Sequence, residues 1–287
     1  MTDRASSSGP AFTWLHAVVL LAGGAVFVLL LLADKTQLKG KEQAPAAPMT
    51  AVTQPPPDTA QAVAQPPLEG SARAAELMQK AAAASAPLDT IAAAVEQMVI
   101  EGRPDLAVPL AQRLVAADSS VKNLLVLGAL SRNALGQEWV KSDESAYGRF
   151  ANLAITSLER AEKLTPQDED VKIELGLSYV ESRMQENSMK GIFKLREVLE
   201  INPRNAEAAY QLGLLSMDTG QFDKAEARFR SVLEIEPEFT PARYSLALCL
   251  EQLGKVQEAK DEMAKVASQQ QFREMAVAAS QWISDHQ

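Results

Sequence analysis

The chain is poor in the residues that catalysis most often uses. Its 287 residues include one cysteine, Cys249, and two histidines, His16 and His286. A single thiol excludes an internal disulfide and leaves the redox compartment open. Two distant histidines and one cysteine supply no metal site, and no glycine-rich loop follows a strand to cradle a phosphate. Aromatic residues make up only 5%, and the alternating β-branched runs that announce strands are missing, so an all-α protein is expected. Lysine and arginine number 28 against 37 aspartates and glutamates, for a net charge of −9. That balance, without basic clusters, argues against nucleic acid as a partner and suits a basic or apolar polypeptide. Cys249 lies between Leu248 and Leu250, where a buried, inert thiol is expected. Acidic pairs such as Asp261 with Glu262 read as solvated helix faces. No enzyme and no cofactor are expected.

What the chain does have begins with an apolar run. No charged side chain falls between Arg4 and Asp34, and residues 14–33, WLHAVVLLAGGAVFVLLLLA, are long enough at about 1.5 Å per residue to cross a hydrocarbon core of about 30 Å. The run exceeds an ordinary signal-peptide core and lacks a small-x-small cleavage pattern, so it reads as a single transmembrane helix after a short tail, 1–13. Two signals oppose each other over its orientation. Lys35, Lys39 and Lys41 follow the span while only Arg4 precedes it, which places the carboxyl side in the cytosol. A large carboxyl domain behind an uncharged Pro/Ala/Gln spacer fits export across an inner membrane, and that is the reading taken. The linker, 34–70, carries too few large apolar residues to fold and enough proline to favour extended geometry.

From residue 71 to 287 the chain repeats. LGLLSMDTGQFDKAEARFRSVLEIEP, starting at Leu212, returns 34 residues later as LALCLEQLGKVQEAKDEMAKVASQQ, starting at Leu246. Gly213 falls on Ala247, Gly220 on Gly254, Ala225 on Ala259 and Phe229 on Met263. Earlier units carry Leu175-Gly176, Gly191, Leu195 and Pro203, and Leu127-Gly128, Ala154, Leu158 and Pro166. Five helix pairs emerge at 88–120, 121–168, 169–205, 206–239 and 240–273, with a leading helix at 71–85 and a closing cap at 272–286. Met275, Ala279 and Trp282 mark the cap's buried face at helical spacing.

On these positions the chain resembles tetratricopeptide repeat (TPR) proteins, most clearly over 169–205, 206–239 and 240–273. The resemblance implies a solenoid of helical hairpins wound into a right-handed superhelix with a concave side. It also explains a glycine inside a helix, which costs roughly 1 kcal/mol against alanine. Small residues let the two helices close, with Gly213 expected against Ala225 and Ala247 against Ala259. Carried over from the family, the groove-lining positions include Ile173, Leu177 and Val180, then Tyr210, Leu214, Met217 and Asp218, then Tyr244, Leu248 and Glu251. Such a wall, apolar with acidic margins, would take a peptide with apolar anchors and some positive charge. The insertion at 136–150, with Trp139, Tyr147 and Phe150, departs from the family spacing; contact with a partner and folding back over the first pairs are both open to it. The implied function is a membrane-anchored adaptor for protein partners in cell-envelope complexes, with its carboxyl domain in the periplasm. Self-association into a homo-oligomer is the alternative, followed by a part in exported-protein folding or cytochrome c maturation.

Overall fold

A computed structural model describes residues 72–286 of the chain. The tail, the apolar run 14–33 with its expected membrane span, and the whole spacer 34–70 lie outside the described residues. Thirteen α-helices and one 3₁₀ turn make up the described residues, with no strand among them. Helix α1 (Ala72–Ala82) leads into five packed pairs: α2 (Leu88–Ile100) with α3 (Pro104–Ala117), α4 (Val121–Ala134) with α6 (Glu144–Leu164), α7 (Glu169–Glu181) with α8 (Gln185–Ile201), α9 (Ala206–Asp218) with α10 (Phe222–Ile235), and α11 (Thr240–Gln252) with α12 (Val256–Ala267). The short α5 (Glu138–Ser142) interrupts the second pair, and α13 (Arg273–Asp285) packs on α12 behind the 3₁₀ turn. Among the described residues no helix is long and apolar enough to cross a membrane.

Local sequence sets the ends of these helices. The Asp143, Asp168 and Asn205 side chains accept hydrogen bonds from the amides of Ala146, Val171 and Ala208 at 3.0, 3.0 and 2.8 Å, capping α6, α7 and α9. After the first helix of a pair the backbone turns through the left-handed region, at Gly102, Gly220 and Gly254 in the first, fourth and fifth pairs. The third pair puts Arg183 there, at φ 59°, and its guanidinium lies 3.6 Å from the centroid of the Tyr147 ring. That stacking offsets part of the cost a side chain meets in this region.

The core passes from one pair to the next without a break. Buried residues of α1 to α4 join Leu158, Leu175 and Tyr179, and Ile173, Leu195 and Val198 join Ala208 and Leu212. Phe229, Val232 and Phe239 then share a cluster with Leu246 and Leu250. No pair covers its own apolar surface, and each depends on the next for burial. Polar ties reinforce the stacking: the Asn202 and Asn205 amides donate to Glu169 at 3.0 and 2.7 Å, and Lys172 of α7 reaches Glu162 of α6 and Glu197 of α8.

The helical glycines mark close approaches between the helices of a pair, and they add a large neighbour to the small ones expected. A Cβ on Gly213 would stand 2.5 Å from Cε1 of Phe229, so this glycine makes room for a fully buried ring one turn beyond Ala225. In the second pair a Cβ on Gly128 would likewise meet the side chain of Leu158. Ala247 shares a cluster with Met263, the residue one turn beyond Ala259. In the third pair small meets small: a Cβ on Gly191 would collide with the backbone oxygen of Gly176. A ring can tilt and a backbone carbonyl cannot. Gly213→Ala should therefore cost a net of about 1 kcal/mol and Gly191→Ala about 3 kcal/mol, the clash outweighing the gain in helix propensity in both. Urea unfolding of the two variants checks the order.

Candidate functional site

The ten residues expected on an open groove wall are mostly used in packing. Ile173 and Tyr210 are buried, at 6% and 9% exposure. Tyr210 stands between Phe229 and Phe239, with ring centroids 5.9 and 5.2 Å away, and burial raises the pKa of its hydroxyl while a hydrogen bond with Ser245 opposes the shift. Val180 lies against Gly191 and so faces its own hairpin partner. Leu177 packs into the cluster between the third and fourth pairs, and Leu214 and Met217 into the next, each staying partly exposed. Tyr244 and Leu248 meet Met275, Trp282 and Ile283 of the cap. Glu251 is held there too, accepting from the Trp282 indole at 2.8 Å with His286 Nε2 2.9 Å from its other oxygen. The fifth unit's share of the wall is thus covered by α13. Asp218 alone of the ten is exposed.

A polar row on the first helices of the pairs takes the place of the apolar wall. Arg132, on α4, forms a two-pronged bond with Glu174 of α7 at 2.9 and 3.3 Å and a third with Glu181 at 3.0 Å. Burial by itself would weaken the protonated guanidinium, but the two carboxylates outweigh it and hold Arg132 firmly charged. Next along, on α9, stands Glu207, which accepts from Gln211 at 2.7 Å. Its carboxyl is pushed up from 4.5 to about 7, first by burial and then by the neighbouring Glu174 charge, against the opposing pull of Gln211 and Arg132. Two carboxylates thus share one arginine, and Glu207 feels its charge without bonding to it. Sequence reading reaches this row only as the acidic margins of the wall; Arg132 and Glu174, 42 residues apart, carry no local signal of their pairing.

The insertion folds back over its neighbours, as one of the two readings above has it. Trp139 donates its indole N–H to Asp105 of α3 at 3.0 Å, and Gln137 donates to the carbonyl of Gly102 at 3.0 Å. Tyr147 donates to the carbonyl of Glu181 at 2.6 Å. Val140, Ala146, Tyr147 and Ala151 form a small core with Trp139 and Phe150. The segment therefore ties the first pair to the third across the second. Cys249 is buried, with its thiol 3.1 Å from the Phe222 carbonyl and its pKa raised by burial, as an inert packing residue. Among the described residues no group of histidine, cysteine and carboxylate side chains is placed to hold a metal.

Residues 216–281 match the tetratricopeptide repeat family model. The crystal structure of TTC0263, a thermophilic TPR protein of Thermus thermophilus, superposes with a TM-score of 0.54 over 68% of this chain and 98% of its own, at 21% identity. A crystal structure of MamA gives a TM-score of 0.44 at 24% identity, over 60% of this chain and 91% of its own. MamA AMB-1 gives 0.41 at 28% identity, over 59% and 90%. No curated protein sequence matches the chain.

The shifted carboxyl of Glu207 gives a pH test. Because its folded value, about 7, lies above the ordinary 4.5, the folded state gains from the bound proton; that stability is whole below the ordinary value and is lost as pH rises through about 7. Between pH 5 and pH 8 this site should cost the folded state on the order of 2 kcal/mol, and Glu207→Gln should remove that share of the pH dependence. Urea midpoints of both proteins at the two pH values measure it. The stacked hairpins, their small contact residues and the match over 216–281 together make the described part of the chain a TPR-type helical solenoid in fold.

Proposed function

We propose that the chain is a scaffold that residues 14–33 hold in a membrane and whose solenoid binds a polypeptide partner. The observation that carries this reading is the TPR-type stack itself: a long rigid surface of paired helices suits the recognition of extended or helical chains. The uncharged run of twenty residues supports the anchor, and the proline-rich spacer behind it gives the solenoid reach from the bilayer. The excess of carboxylates over arginine along the inner row, with exposed Asp218 beyond it, supports a partner segment that brings positive charge. The spacer's composition supports a carboxyl domain on the non-cytoplasmic side, in the upkeep of envelope complexes. The function is binding, without turnover and without a cofactor.

Two measurements test this. Removing residues 14–33 should move the chain from the membrane fraction to the soluble one; a chain that is soluble before the deletion contradicts the anchor. A photo-cross-linker at Asp218 should capture a partner whose yield falls at least about tenfold when salt rises from about 0.05 to about 0.5 M, as a charge-led contact requires. The same label at Glu200, exposed on the second helix of its pair, should capture none. Equal capture at both positions, indifferent to salt, removes the inner row from the reading.

A further inference from the structure

The second helices of the pairs turn one side outward, and the repeat lets that side be compared from pair to pair. Counted back from the equivalent buried residues Leu158, Leu195, Phe229 and Met263, Met189 of α8 falls on Asn152 of α6, Asp223 of α10 and Gln257 of α12, and Phe193 falls on Thr156, Ala227 and Asp261. In the other three helices both positions are polar or small, and exposed. In α8 they are large and apolar, each 53% exposed, and Met184, just ahead of the helix, is 57% exposed.

Packing within the stack does not account for them. The opposite side of α8 is already filled: Leu195 and Val198 are fully buried, Gly191 lies against Gly176, and Ile192 and Leu199 join the cluster between the third and fourth pairs. Met189 and Phe193 stand one turn apart on the outer side, and large apolar residues exposed together at positions that are polar or small in the sister helices mark a contact surface. Charges bracket these two. Glu186 stands one turn before Met189 and Arg196 one turn after Phe193, both exposed and neither in an ion pair among the described residues. Spacings of three, four and three residues put all four side chains on one face.

We propose that a second copy of the chain docks on this face, the two α8 helices packing antiparallel about a two-fold axis level with Gly191. Phe193, two residues beyond the axis, then meets Met189 of the other copy, two residues before it, and Arg196, five beyond, comes level with Glu186, five before; the symmetry makes each contact twice. The face is thus its own complement in apolar bulk and in charge. No like charges meet along it: Lys190 falls level with Ile192 and Glu200 with Ser182, and Glu197 is held by Lys172 and Lys194 of its own chain. A parallel pairing would instead set Arg196 against Arg196 and Glu186 against Glu186. The reciprocity also favours a second copy over an anionic lipid surface, which would repel Glu186 and Glu200. One helix on one helix covers less than the roughly 800 Å² per partner of a standard interface, so the pairing is weak in dilute solution and gains from confinement of the copies to one membrane. It requires neither the anchor nor the inner row.

The test is disulfide trapping with the full chain. Copies carrying Met189→Cys and copies carrying Phe193→Cys, told apart by tags of different size, are expressed together and the cells are treated with a mild oxidant; Cys249 is buried and stays out of the reaction. The mixed pair should give at least about fivefold more linked dimer than either variant alone, since antiparallel packing brings position 189 to position 193 of the other copy and holds like positions beyond disulfide reach. Placed in both copies of the mixed pair, Arg196→Glu alone or Glu186→Arg alone should cut that linkage at least about fivefold, and the two together should restore it, because the exchange re-forms both ion pairs. Capture at Asp218 should be unchanged by the same exchange, which keeps a failure of the pairing apart from a failure of partner binding. A label at Glu200 stands level with Ser182 of the other copy, so a link formed there has the mass of two copies and is not the partner of the inner row. Linkage strongest between like positions, linkage of either thiol to a different protein, single reversals without effect, or a double exchange that does not restore the dimer each overturns the proposal.

Discussion

Everything in this fold depends on how closely the two helices of each pair can approach. The side chain one turn beyond the small residue of the second helix, Leu158, Leu195, Phe229 or Met263, is fully buried in every case from the second pair on. In the second and fourth pairs it fits only because the facing residue of the first helix, Gly128 or Gly213, has no Cβ to obstruct it. The stabilisation follows from the large residue entering the space that the small one leaves, with roughly 1.5–3 kcal/mol for each such side chain fully buried. A pair held in this way presents an apolar flank on each side, which a neighbouring pair or, at the two ends of the described stack, the single helix α1 or α13 covers.

Electrostatics runs along the stack in the same direction as the packing. Arg132 links the second pair to the third, Lys172 and Lys194 bind Glu162 and Glu197 around the third, and Arg230 and Lys255 meet Glu226 and Glu258 between the fourth and fifth. Most of these are exposed enough to add little to stability individually. Arg132 is different, because it and Glu174 are both buried and removal of either leaves a charge without its counterpart.

The hairpins were legible because a 34-residue period needs nothing but counting, and because capping residues such as Asp168 and Asn205 stand directly before the helices they start. The cap's buried face, with Ala279 at its centre, was legible for the same reason. The groove was not. A helical period tells which residues share a face, but on a helix with neighbours on three sides it does not tell which neighbour that face meets; Tyr210 went to Phe229 and Phe239, and Tyr244 to the cap, where a free wall was expected. The ring of Phe229 over Gly213 is likewise hidden from the pattern Gly…Ala, which shows the two small residues and not the large one that fills the space. The insertion's tie to both the first and third pairs depends on contacts 34 residues apart, between Trp139 and Asp105 and between Tyr147 and Glu181, and no local pattern carries those.

Nuclear Overhauser contacts in a protein labelled at glycine and phenylalanine test the packing most directly. The account predicts strong contacts from the Gly213 α-protons to the ring of Phe229, with those protons shifted by the ring current, and a second set between the α-protons of Gly176 and Gly191. Gly213 protons at ordinary shifts with no contact to the ring would mean that the helices do not close through this position, and the stack built on it would have to be abandoned.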